Sequence, residues 1–442
     1  MVDESHWHRA RLIPTTGIDG AAEQEGRATS ATLAVVSVVK EFGRALTKPV
    51  GAPAGKIEAY TEVQFKLGEK VVRPDGLLRI TRGKNSWVAL VEVKTAANSL
   101  DPIQLGDYLD VIKEHNFDAL LTISNEVPPM KGEHPTDVDK RKLRKTVLHH
   151  WSWSDVLDLA KMQFDHFGVA DEEQKWILEE LIRYLESPKS GANDFQDMGP
   201  AWVGVREQVS SGTLRLSDKG VAEVATKFDA LIYFVGLKLG QSLGRRVTQV
   251  FAKDELANKS VRGQRVAKEL VSEGVLRATL NVPDAATDIR LEANLRSGVI
   301  SCTYEIAAPK EGKPLSRVNW LVRQIKNAGG SNTRIEAVAA YMKESASELL
   351  KDVIENPKKL VKDPSRDILK FRVVQSFPLG TKRNLGRGSF IESVREAVEK
   401  SYGEIGENLR AWAPQAPKLP KQADMTQPTD VILVDQVITI SD

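Results

Sequence analysis

Two short apolar runs joined by a polar turn carry charge where charge is expensive. Residues 71–80 (VVRPDGLLRI) and 87–94 (WVALVEVK) are rich in Val, Ile and Leu and read as strands, with TRGKNS as their turn. Side chains two apart on a strand share a face, so Glu92 and Lys94 point one way and Val93 the other. A charged pair ending an apolar strand costs free energy unless something binds it. Asp75, within Arg73-Pro74-Asp75-Gly76, and Glu92 supply two hard carboxylates. That set suits Mg²⁺, which takes one or two carboxylates plus waters and phosphate oxygens, with Mn²⁺ as its substitute. Lys94 then stands beside the metal, placed to orient or deprotonate an attacking water and to steady negative charge on phosphorus.

The flanking sequence adds to this pattern. Gln104 and Tyr108 stand at helical i,i+4 spacing in QLGDY, on one face of an expected helix from Leu100 to His115, with Asp101 as its cap and Pro102 in its first turn. Upstream, Glu25 opens a long apolar-faced helix expected over residues 21–46, and Glu62 lies in YTEVQFKL, an alternating run read as the first strand of a three-stranded meander. The order resembles the PD-(D/E)xK nuclease superfamily, in its RecB-like branch with a QxxxY element. The resemblance covers roughly the first 165 residues. It implies a restriction endonuclease-like mixed sheet flanked by helices and metal-dependent phosphodiester hydrolysis. It further implies that Asp75 and Glu92 ligate metal, that Lys94 is the catalytic lysine, and that Gln104 and Tyr108 position water or phosphate. Glu25 matches the further acidic residue that family members carry on the first helix, as an additional metal ligand.

Charge confines any attraction to nucleic acid to local patches. Sixty-two Lys and Arg stand against 60 Asp and Glu, a net charge of +2 over 442 residues. The densest positive run is Lys140-Arg141-Lys142-Leu143-Arg144-Lys145, which reads either as a contact to backbone phosphates or as a solvated face. The adjacent His149-His150-Trp151 reads as structural, and His6 and His8 fall in a lead-in (residues 1–20) expected to be loosely ordered. The single cysteine, Cys302, excludes an intrachain disulfide and reads as a small buried hydrophobe in VISCTYEI. No apolar run of about 18 residues and no signal-like N-terminal segment is present, so a cytoplasmic protein without membrane attachment is expected.

The expected class is therefore α/β, with a second α+β domain. The nuclease-like domain spans 1–165, and a helical connector with a hinge spans 166–200, its helix opened by an Asp171/Gln174 capping box. An α+β domain spans 201–412 and serves recognition, regulation or assembly. A proline-bearing linker and a terminal strand span 413–442; a homo-oligomer would form through the C-terminal domain or that strand. Basic islands recur at Arg245-Arg246, Arg262–Arg265 and Lys382-Arg383-Asn384 with Arg387. Two functions fit: a Mg²⁺-dependent nuclease acting on DNA rather than RNA, in DNA processing or, by analogy, in defence against phage or other foreign DNA; or a non-catalytic nucleic-acid-binding or assembly protein that uses a nuclease-like platform.

Overall fold

The computed structural model of the chain describes residues 8–9, 12, 21–96, 98–128, 134–192, 195–341 and 344–414. The expected terminal strand and all but the start of the linker lie outside these residues, as does His6. The chain divides into two compact units, residues 1–411 and residues 412–442.

The first half is a mixed sheet between helices. Its strands are β1 (His8–Arg9), β2 (Lys56–Thr61), β5 (Gly76–Arg82), β6 (Asn85–Val93), β7 (Ala119–Ser124) and β8 (Val147–Ser152), paired in that order, while β3 (Phe65–Leu67) and β4 (Lys70–Val72) form a separate hairpin. The helices are α1 (Ala21–Val38), α2 (Lys40–Thr47), α3 (Pro102–His115), α4 (Trp153–Met162) and α5 (Glu172–Glu186). Pairing is antiparallel through β6 and parallel from β6 to β8. Alternation sorts the strand side chains between two cores. Ala89, Val91 and Val93 join α1, α4 and α5 on one face, and Leu90 joins α3 on the other. Each such Val or Leu contributes roughly 1.5–3 kcal/mol by leaving water.

Several elements depart from the expected boundaries. The helix over 21–46 breaks at Val39, whose extended backbone (φ −85°, ψ 97°) separates α1 from α2. The strand over 71–80 divides at Arg73-Pro74-Asp75 into β4 and β5, because Pro74 cannot donate to a ladder. YTEVQFKL likewise divides, with Glu62 leaving the sheet at φ 55° rather than lying on a strand. His8, expected in a loose lead-in, pairs through the β1 backbone with Thr61. Asp171 caps α5 by accepting from Gln174 N at 2.9 Å, but the Gln174 side chain accepts from Lys40 N instead of closing a box. Within the segment expected to be a connector, α5 places Leu178, Leu181, Ile182 and Leu185 in the first core. Cys302 is fully buried in the core of residues 195–409.

Residues 195–409 share a third core. Here α6 (Trp202–Ser211), α7 (Lys219–Leu243), α8 (Lys253–Ala257), α9 (Lys259–Glu273), α10 (Pro314–Ile325), α11 (Leu350–Glu355) and α12 (Phe390–Ser401) accompany one antiparallel sheet. Its strands are β9 (Thr248–Gln249), β10 (Val275–Asn281), β11 (Ile289–Asn294), β12 (Val299–Ala307), β13 (Thr333–Ala339), β14 (Ala346–Leu349) and β15 (Ile368–Pro378), in the order β14-β13-β15-β12-β11-β10-β9. The halves meet where α4 packs on α7, with the Tyr233 hydroxyl donating to Asp155.

Candidate active site

Register alone brings Asp75 to Glu92. Gly76 of β5 pairs with Val91 of β6, so the next position out sets Asp75 across from Glu92. Val93 N then donates to Asp75 Oδ2 at 2.8 Å and fixes the carboxylate. Gly76 also lets α1 approach: a Cβ there would lie 2.4 Å from Leu33 Cδ1. That close seat carries Glu25, two turns earlier on α1, to the end of β6.

Three carboxylates consequently surround one ammonium. Lys94 Nζ lies 2.6 Å from Glu92 Oε1, 3.1 Å from Glu25 Oε1 and 3.9 Å from Asp75 Oδ2. The Glu92 side chain is 1% exposed, Lys94 14% and Asp75 28%, so the cluster is sheltered but open on the Asp75 side. Burial, and then the neighbouring Glu92 charge, push the Asp75 carboxyl well above the usual carboxylate range. For Lys94, burial acts downward, but Glu92, Asp75 and Glu25 outweigh it and hold the ammonium firmly charged.

The helix residues lie beside this group. Gln104 Nε2 donates to the Tyr108 hydroxyl at 2.7 Å, which donates to the Arg73 carbonyl at 3.0 Å and so anchors the segment carrying Asp75. Burial, then Glu92 and Asp75, raise the Tyr108 phenol, which stays protonated. The structure thus brings together Glu25, Asp75, Glu92, Lys94, Gln104 and Tyr108, while Glu62 joins only through its backbone N, which donates to the Asp75 carbonyl.

Other residues here carried no warning in the sequence. Asn98 Nδ2 and Thr95 N donate to Glu25 Oε2, and Trp153 Nε1 holds the Lys94 carbonyl at 2.9 Å. Only Thr95, next to Glu92-Val93-Lys94, was close enough in sequence to be suspected.

The donor set fits a hard divalent cation. All the available ligand atoms are carboxylate oxygens, and Glu92 Oε2 is buried with no hydrogen-bond partner, a costly state that a cation relieves. Among the described residues no three His, Cys, Asp or Glu side chains form a ready-made cage, so waters and substrate oxygens would complete the shell around Asp75 and Glu92, with Glu25 beside them.

The basic run is tied down in part. Lys140–Leu143 form a short 3-10 turn in which Arg141 pairs with Asp139 at 2.8 Å and Lys142 pairs with Asp110 of α3 at 2.7 Å. Lys140, Arg144 and Lys145 are exposed. His150 is buried between Thr122 Oγ1 (2.9 Å) and the Glu126 carbonyl (2.8 Å), and burial lowers its pKa to about 3, so it acts as a neutral structural bridge.

Compared with protein-family models, curated proteins and solved structures, the chain matches none.

Proposed function

We propose that this chain is a metal-dependent nuclease that hydrolyses phosphodiester bonds, in DNA rather than RNA, on a restriction endonuclease-like core. The observation that carries the reading is the convergence of Asp75, Glu92 and Glu25 on Lys94 at the carboxyl end of β6, where the parallel strands of an open sheet present ligand sites. Asp75 and Glu92 would hold Mg²⁺ or Mn²⁺, which supplies Lewis acidity toward the phosphate and a more acidic water. Lys94 offers an ammonium to negative charge growing on phosphorus, and Glu92 and Glu25 hold it in place. Gln104 and Tyr108 keep the Asp75 segment in position from α3. A cytoplasmic role in DNA processing or in defence against foreign DNA fits this chemistry; no helix among the described residues is long and apolar enough to cross a membrane.

The test is incubation of the full chain with plasmid, linear and single-stranded DNA and with RNA, in Mg²⁺, Mn²⁺ or EDTA. Cleavage of DNA that requires metal and vanishes in Lys94→Ala is the expected result. Undiminished cleavage in EDTA overturns the metal-dependent reading, and no cleavage with any substrate and metal overturns it in favour of the platform reading, in which Lys94 merely neutralises the carboxylates.

A further inference from the structure

Register sets Glu92 at the head of a buried polar row. Glu92 of β6 pairs with Thr122 of β7, and Thr122 pairs with His150 of β8, all in parallel. Neighbouring strands lie about 4.8 Å apart, and paired residues point to the same face. Here that face is the α3 side of the sheet: Leu90 and Leu120, two positions earlier on β6 and β7, lie in its core, and Leu148 of β8 packs against it. Glu92, Thr122 and His150 are all buried.

The hydrogen bonds of this row fix where its protons lie. His150 Nε2 meets the Glu126 carbonyl at 2.8 Å, and a carbonyl only accepts, so Nε2 carries the hydrogen. Burial keeps the ring neutral, which leaves Nδ1 bare. Thr122 Oγ1, 2.9 Å from that Nδ1, must then donate to it. With the Thr122 proton committed there, His134 Nε2 is the donor in its 2.8 Å contact with the same oxygen. A hydroxyl has one proton, and Thr122 directs its own away from Glu92.

A second hydroxyl near Glu92 is committed in the same way. Tyr108, close enough to feel the Glu92 charge, accepts from Gln104 and donates to the Arg73 carbonyl. Glu92 Oε1 takes the Lys94 ammonium at 2.6 Å, while the buried Oε2 has no donor. A buried acceptor in that state is costly when a hydroxyl stands one strand away.

We propose that His134 and His150 are positioning residues for the metal site: they hold the Thr122 hydroxyl away from Glu92 and so keep Glu92 Oε2 bare for a divalent cation. This rests on the metal-dependent reading above. An oxygen that already accepts from a hydroxyl must give up that bond, or share its charge, to take a cation. Groups standing behind a metal ligand commonly change affinity by about 10- to 100-fold.

The affinity of the full chain for Mn²⁺, read by isothermal titration calorimetry, tests this arrangement apart from cleavage. His150→Phe removes the acceptor of the Thr122 proton and should weaken Mn²⁺ binding about tenfold or more. Adding Thr122→Val removes the freed hydroxyl and should restore affinity to within about threefold of the unaltered chain. A merely structural role predicts the opposite, because two core changes then weaken the site at least as much as one. Nitrogen-15 NMR of the unaltered chain with labelled imidazoles places the protons directly, even where a variant fails to fold: His150 should carry hydrogen on Nε2 alone. Unchanged affinity in His150→Phe, no recovery in the double variant, or a proton on His150 Nδ1 overturns the assignment. An unaltered chain that binds no Mn²⁺ overturns it together with the metal-dependent reading. Loss and recovery of Mn²⁺ binding in a chain that cleaves nothing uphold the positioning role and overturn only the nuclease reading.

Discussion

Among the described residues, two of the buried acid clusters are neutralised in opposite ways. In the second half, Asp229 and Glu255, at 6% and 2% side-chain exposure, face arginines: Arg262 Nε reaches both Asp229 oxygens at 3.0 and 3.2 Å, and Arg265 Nε meets Glu255 at 2.6 Å. At the candidate active site, one lysine serves three carboxylates, and Glu92 Oε2 is left without a donor. Arginine forks match carboxylates two bonds at a time and leave little unmet, whereas an ammonium is a point charge. The first arrangement is complete as it stands; the second has room for a cation and an anion.

That contrast is broken or sharpened by substitution. Asp75→Asn, Glu92→Gln and Lys94→Ala should each lower DNA hydrolysis by about 10²-fold or more, the two carboxylate variants with no fall in melting temperature. A parallel loss of stability, seen in thermal melts beside plasmid assays, would make the cluster an ordinary buried ion network. Arg262→Met should do the reverse, costing about 3–5 kcal/mol in a denaturant titration because it takes the guanidinium from buried Asp229, while the folded fraction retains its specific activity. Gln104→Ala and Tyr108→Phe, which loosen the Arg73 segment without removing a ligand, should cost about tenfold in kcat; a change confined to KM would place them in binding instead.

The smallest effect concerns pH, at the joint between the halves. Burial pushes the Asp158 carboxyl up to about 7; Asp155 adds to the rise, while Gln241, Lys238 and Arg246 oppose it. Its folded pKa thus lies above its unfolded one, so the native state holds more protons between the two. Stability is full below about pH 4 and declines as pH rises toward about 7. Asp158→Asn should flatten that slope in urea midpoints measured from about pH 4 to about pH 8; an unchanged slope would assign it to other groups.

How much of this could be read beforehand follows from the range of each interaction. The pairing of Glu92 with Lys94 and of Gln104 with Tyr108 depends on periods of two and four residues, and those are written locally. The strand split at Pro74 was also local, but the apolar run around it hid the break. By contrast, Trp153 holds Lys94 from 59 positions away, Leu178 on α5 enters a core begun by Ala28, and the order of the second sheet interleaves strands far apart in sequence. No window of the sequence carries those contacts. His150 reads as structural from the sequence, yet its partners Thr122 and Glu126 lie on and beside another strand, where no local window shows them.

Trp153 has a consequence for when the chain can act. It is the first residue of α4, whose capping Ser152 shares Asp155 with Tyr233 of α7. The main chain at Lys94 is therefore braced by a helix that is itself fastened to residues synthesised much later. A ribosome-bound first half would carry every acidic side chain of the site, and Trp153 with them, while lacking the Tyr233 hydroxyl that fastens α4. Tyr233→Phe, by releasing that fastening, should leave the charged cluster in place and lower turnover, a loss read by comparing kcat in the variant with its unaltered circular dichroism.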